Sequence, residues 1–259
     1  MSEDIWLAGC GAMAGAMLGR WLDTGLDPER VLVIDPASSG ATTSVRVVEH
    51  PVGPPPALLQ LGFKPQHLAE AAPVYAPFVR EHTVLVSILA GVTLERLRAL
   101  FPAARAVVRT VPNLPVRLGK GVIALAAARD VRAELDPLTA PLGLVQWLDD
   151  EAHFDLVTAL SGSGPAFLYR FVDALSAAGA ALGLPAARAE RLALQTVEGA
   201  AALAASSNMA PAALADRVAS KGGSTRSGLD VLDADDALRK LLVATLSAAT
   251  ERNRVLGAS

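Results

Sequence analysis

The chain has 259 residues, 52% hydrophobic but only 4% aromatic, with a net charge of −3. That length supplies core for one large domain or two modest ones, and the slight acidity excludes the basic surface by which proteins hold nucleic acid. The single cysteine, Cys10, can form no intrachain disulfide, which favours a reducing compartment.

The N-terminal run "IWLAGCGAMAGAMLG" resembles the apolar part of a secretory signal. It follows Glu3 and Asp4 rather than cations and is too short to span a bilayer. The expectation is a cytoplasmic protein with no membrane segment. From there the chain alternates short apolar runs with helical spacing. Strands are predicted at Ile5–Gly9, Val31–Asp35, Ala57–Phe63, Thr83–Gly91, Ala104–Thr110, Lys120–Ala127 and Leu144–Leu148. Helices are predicted at Ala12–Leu22, across "TLERLRALF" and at roughly Val131–Pro141. Strands alternating with helices imply an α/β domain of Rossmann type, with a mostly parallel sheet covered on both faces. Beyond Glu151 the β-branched runs stop, and helices follow at Ala166–Leu182, Ala186–Ser206, Pro211–Ala219 and Asp235–Leu256. The chain therefore reads as a dinucleotide-binding domain over residues 1–152 and an all-α domain over 153–259.

The first site candidate is "GCGAMA", between a strand and a helix. Gly9 permits the tight turn, Gly11 admits a pyrophosphate to the backbone, and Ala14 allows close helix–strand packing. Phosphate would then meet the free N–H groups of the helix that opens at Ala12. Asp35, ending the second strand, can accept from the ribose hydroxyls of NADH and would repel a 2′-phosphate; it can also serve as a turn-forming Asp before Pro36. Ser38 and Ser39 leave NADPH open. Asn113, flanked by Pro112 and Pro115, and "GFKP" and "ILAG" close other strands, where ligands meet such sheets. "SGSGPAF" carries more glycine than capping a helix requires. "SKGGSTRSGL", Ser220 to Leu229, reads as a loop between helices, rich in the N–H and hydroxyl donors that a small anion needs. The scattered histidines show no zinc spacing, and no His follows "SGSG" to complete a hydrolase triad.

With these clusters in order, the chain resembles the pyrroline-5-carboxylate reductases, on "GCGAM", "FKP", "VSILAGV", "VRTVPNLP", "SGSGPAF" and "VASKGGSTRSGL". The resemblance implies reduction of the C=N bond of 1-pyrroline-5-carboxylate to L-proline by NADPH or NADH. It also implies a homodimer interlocked through the helical domain. It matches Gly9, Gly11 and Met13 to the pyrophosphate turn, and Lys64, Pro65, Ala90 and Asn113 to the cofactor channel. Ser220, Gly222, Gly223, Ser224 and Thr225 match the loop that takes the substrate carboxylate, with Thr225 nearest the imine nitrogen and hence the catalytic hydroxyl. Lys221 stands where the family carries proline, and Leu114 where threonine is common. Reduction of a related cyclic imine, a hydroxyacid dehydrogenase using Lys221 as acid, and a nucleotide sensor without turnover remain alternatives.

Overall fold

A computed structural model describes residues 4–37 and 44–257; Ser38 and Ser39 lie outside them. The first compact unit comprises residues 1–163 with 249–259, and the second residues 164–248.

The first unit is built on one sheet of eight strands: β1 (Ile5–Ala8), β2 (Val31–Ile34), β3 (Arg46–Val48), β4 (Leu58–Leu61), β5 (Val84–Ser87), β6 (Ala106–Pro112), β7 (Gly121–Ala127) and β8 (Gly143–Trp147). Their order is β3-β2-β1-β4-β5-β6-β7-β8. Every neighbouring pair is parallel except β6 and β7. A single 3₁₀ turn at Leu114–Leu118 joins those two strands, too short a connection to carry the chain back for a parallel pairing.

Alternation of side chains divides the core in two. Ile5, Leu7, Val31, Val33, Val84, Val86 and Val108 face helix α1 (Ala12–Asp23) through Met17, Leu18 and Trp21. On the other face, Trp6, Ala8, Leu32, Ile34, Leu59, Leu61 and Leu85 meet α2 (Leu68–Tyr75) and α3 (Leu94–Leu100). Helix α4 (Arg132–Thr139) completes the α/β part.

Several boundaries differ from the sequence-based expectation for local reasons. The predicted strand Thr83–Gly91 stops at Ser87, whose Oγ accepts from the Leu89 N–H at 3.3 Å and turns the chain. Strand β6 runs on to Pro112, which pairs with Ile123 of β7. Strand β3 has only three residues, none buried, so no apolar alternation marks it.

After β8 come α5 (Phe154–Val157) and a π-helical turn at Thr158–Gly162. Strand β6 grips this segment twice. The buried Arg109 guanidinium lies 4.5 Å over the Phe154 ring, and pairs with Glu151 at 2.8 Å and Asp155 at 3.9 Å. Four residues on, Asn113 Nδ2 donates to the Ser161 carbonyl at 2.9 Å. Asn253, near the C-terminus, donates to the Asp155 carbonyl at 3.1 Å. Composition changes at Glu151, but these bonds keep 151–163 and the last residues with the sheet, so the compact units divide at 163/164 rather than at 152/153.

The second unit contains α6 (Gly164–Ala181), α7 (Ala186–Ala205), α8 (Pro211–Val218), α9 (Ser224–Asp233) and the start of α10 (Ala237–Gly257). Helices α6 and α7 form a hairpin closed by Gly183, and a Cβ at Gly179 would stand 3.3 Å from that of Ala189. The predicted helix from Asp235 begins instead at Ala237, because Asp235 and Asp236 take left-handed φ of 53° and 56°. Among the described residues no helix is long and apolar enough to cross a membrane.

The grip on 151–163 yields one expected outcome. Arg109→Met keeps the aliphatic stem and removes the charge-assisted bonds, and it should lower the unfolding free energy by about 2 kcal/mol in urea titrations followed by circular dichroism.

Candidate dinucleotide site and helix-terminus anion site

In this strand order the chain leaves β1 toward β2 on one side and reaches β4 on the other. The crevice outside the carboxyl ends of β1 and β4 is therefore where a ligand fits such a sheet. A cleft of about 670 Å³ lies there, lined by Gly9, Gly11, Ala12, Met13, Asp35 and Lys64 among the sequence candidates.

Each glycine has its own cause. Gly9 has φ +86°, and a Cβ on it would stand 2.7 Å from the Phe63 amide nitrogen, so both backbone conformation and space require glycine. Gly11 precedes the first turn of α1 with φ −71°. A Cβ built there meets no protein atom within 4 Å. Nothing in the fold demands glycine at position 11, and the open space beside its backbone leaves room for a ligand to approach closely. No side chain caps α1, and its first turn carries no acidic residue, which leaves the positive end of the helix for phosphate. These residues fit a dinucleotide.

Asp35 is buried, yet its carboxylate is already engaged. Oδ2 accepts from the Cys10 N–H and Oδ1 from the Ala37 N–H, both at 2.9 Å. The turn-forming reading of Asp35 is seen in the bond to Ala37, and the bond to Cys10 shows a role the sequence did not suggest, fastening the glycine turn. Each oxygen keeps a lone pair for a further donor. Burial, and after it the Asp35 charge, pushes the Cys10 thiol up to about 11, so at neutral pH it stays protonated and unreactive.

Three candidates lie outside the cleft's lining. Pro65 opens the 3₁₀ turn Pro65–His67 just after Lys64. Ala90 is exposed in the turn after β5. Asn113, at the end of β6, has its amide committed to the backbone, with Oδ1 accepting from the Val122 N–H at 2.8 Å and Nδ2 donating to Ser161. Conversely, Phe63, His67, Ala71 and Tyr75 line the cleft and were not among the sequence candidates. The i, i+4, i+8 spacing of His67, Ala71 and Tyr75 was the available signal, since it puts all three on one side of a helix.

In the second unit, the stretch read as a loop is a short turn followed by a helix. Gly222 takes φ +73°, Gly223 precedes α9, and Ser224 and Thr225 occupy its first turn. The Gly223 N–H donates to the Ser220 carbonyl at 3.0 Å and is not available to a ligand. The first intrahelical bond runs from the Ser227 N–H to the Gly223 carbonyl, so the N–H groups of Ser224, Thr225 and Arg226 are left without helical acceptors. A Cβ on Gly223 would stand 2.6 Å from Ser220 Oγ. Lys221 lies in the turn, not on a helix. Arg226 pairs with Asp216 of α8 at 2.7 Å, bracing the turn from outside.

A glycine turn at a helix start, an acid closing the second strand and a crevice where the strand order reverses together define a Rossmann-type dinucleotide-binding protein. Residues 151–256 match the family model described as pyrroline-5-carboxylate reductase dimerisation. The pyrroline-5-carboxylate reductase of Pseudomonas aeruginosa is 34% identical over 263 residues, spanning 97% of this chain and 96% of that one. The chain belongs to the pyrroline-5-carboxylate reductase family. The reductase structure from Coxiella burnetii superposes with a TM-score of 0.86 at 27% identity, covering 98% of both chains. That of Plasmodium falciparum, solved with NADP bound, shares the fold at a TM-score of 0.82 and 22% identity, covering 98% of both chains.

The two glycines should separate in experiment. Gly9→Ala should cost about 2–3 kcal/mol of stability, through left-handed backbone and a backbone clash. Gly11→Val should leave the thermal midpoint near wild type yet weaken ADP binding by about tenfold or more in calorimetric titration, since ~1.4 kcal/mol is a factor of ten.

Proposed function

We propose that this protein reduces 1-pyrroline-5-carboxylate to L-proline with NADPH or NADH. The single observation that carries the reading is the glycine turn from Gly9 to Gly11, which opens onto the cleft at the uncapped start of α1. It coincides with a family relative that matches nearly end to end.

When bound, the reduced nicotinamide would supply a hydride to the imine carbon, and a water held by the Thr225 hydroxyl would supply the proton to nitrogen, giving the amine and leaving hydroxide to solvent. Gly11, Ala12 and Met13 hold the pyrophosphate, Asp35 the adenosine ribose, and Lys64 and Pro65 flank the same cleft, with Ala90 and Asn113 further along the sheet edge. The ring carboxylate goes to the N–H groups at the start of α9, where bare amides and the helix dipole both favour an anion. The residues in that role are Ser224 and Thr225, with the Ser220–Gly222–Gly223 turn shaping the approach. The Thr225 hydroxyl directs the water to the imine nitrogen as charge develops there. Asp35 favours NADH at least as much as NADPH, because a 2′-phosphate would meet a carboxylate.

The chain assembles with copies of itself, and the dimer is the form proposed. No residue of α6 is buried, and Leu168, Tyr169, Phe171 and Leu175 along it are exposed. So much apolar helix surface calls for a partner, and a second copy of the same helices fits the match to a dimerisation model. A cytoplasmic location agrees with the one free cysteine.

Steady-state reduction of pyrroline-5-carboxylate with each cofactor tests the reading; no turnover with either refutes it. Thr225→Ala should lower kcat more than it raises KM. Losing one such hydrogen bond costs on the order of 1–3 kcal/mol, about 5- to 150-fold in rate. If instead Lys221→Ala abolishes turnover while Thr225→Ala is silent, the lysine is the acid. Phe171→Asp should shift the sedimenting species from dimer toward monomer at micromolar concentration, and a monomeric wild type would overturn the assembly.

A further inference from the structure

Tyr75 ends α2 inside the dinucleotide cleft. Its ring stacks on Phe63, with centroids 6.2 Å apart and planes 12° from parallel. The residue is 7% exposed, and among the described residues its hydroxyl has no hydrogen-bond partner. Tyr75 lines the cleft, where a bound ligand can meet its hydroxyl.

A hydroxyl left unpaired in so buried a residue costs free energy, and a ligand group that pairs with it recovers that cost. What it faces narrows the choice. Asp35 lines the same cleft and acts electrostatically on the phenol. Burial first, and then the Asp35 charge, pushes the Tyr75 hydroxyl up to about 12. The phenol is therefore a neutral donor throughout the physiological range. Asp35 can only accept, and each of its oxygens has one lone pair left after binding the Cys10 and Ala37 N–H groups. A carboxylate acceptor and a phenol donor lining one cleft are together complementary to a group that donates and accepts at once, which is an alcohol. A phosphate ester is only an acceptor here and carries charge of the same sign as Asp35.

Resting on the reading of this cleft as the dinucleotide site, we propose that Tyr75 is a specificity-determining residue. Its hydroxyl donates to the adenosine ribose 2′-hydroxyl while that hydroxyl donates to Asp35, so the cleft selects a free 2′-hydroxyl over a 2′-phosphate. The stack on Phe63 fixes the ring, so little side-chain freedom is lost when the bond forms.

The test is calorimetric titration of the full-length protein with ADP and with 2′-deoxyADP. Tyr75→Phe keeps the stacked ring and removes one oxygen. It should weaken ADP about 5- to 10-fold, the range of one net hydrogen bond, and leave 2′-deoxyADP within twofold. Wild type should bind AMP at least tenfold more tightly than adenosine 2′,5′-bisphosphate. Equal losses for ADP and 2′-deoxyADP, or no loss for either, would overturn the role of the Tyr75 hydroxyl, as would equal affinity for AMP and the bisphosphate. Wild type that binds none of these nucleotides would refute the cleft itself, a different failure and visible as such. None of these readouts depends on turnover.

Discussion

The bond from the Cys10 N–H to the Asp35 carboxylate joins two turns that lie 25 residues apart in sequence. It acts where the chain has least else to hold it, since glycines 9 and 11 give the turn no side chains to pack. The sheet contributes the rest of the restraint: the Gly9 N–H donates to the Ile34 carbonyl and the Gly62 N–H to the Ala8 carbonyl. With the ends of β1, β2 and β4 fixed together, α1 can only start at the crevice, and its free N–H groups can only face it. Burial raises both the Cys10 thiol and the Tyr75 phenol above their ordinary values, and the carboxylate placed there adds to the rise. The shape of the cleft thus rests on one buried acid that serves first as a structural acceptor.

Seven of the eight strands and most of the helices were legible in the sequence, because burial on both faces of a parallel sheet writes itself as uninterrupted β-branched and aliphatic runs. What escaped had weak patterning for identifiable reasons. The three residues of β3 are half-buried or exposed, so no apolar alternation marks them. Helix α9 was hidden by its own start: Lys221 to Arg226 is glycine, hydroxyl and cation, the composition of a loop, and the helix that follows has no buried residue. The cleft side of α2 was overlooked because Tyr75 is aromatic and buried, and so indistinguishable in sequence from core. Glycines told more than polar residues did, since Gly9 is demanded by a backbone clash while Gly11 is free of one.

Strand β6 shows why motif residues need coordinates before they receive roles. Asn113 of "VRTVPNLP" reads as a residue placed to meet a ligand, yet the structure commits both its amide and the Arg109 guanidinium to the fold. Arg109 turns to the face that carries Phe154 and binds Glu151, which also accepts from the Leu94 N–H at the start of α3. Asn113 spans the β6–β7 hairpin and the π-helical turn. π-turns persist where some external bond compensates their poorer geometry, and the amide of Asn113 supplies one. In the structure these two side chains act through what they hold in place.

The helical unit poses a different constraint. Its buried hydrophobic residues are alanines, Ala189, Ala193 and Ala219, and an alanine contributes little free energy on burial compared with leucine. Small side chains let α6 and α7 approach closely, as the spacing at Gly179 shows, but they cannot form a core that supports five helices. The large aliphatic and aromatic groups point outward instead. Exposed apolar helices of this kind are what a unit matching a dimerisation model carries to its partner.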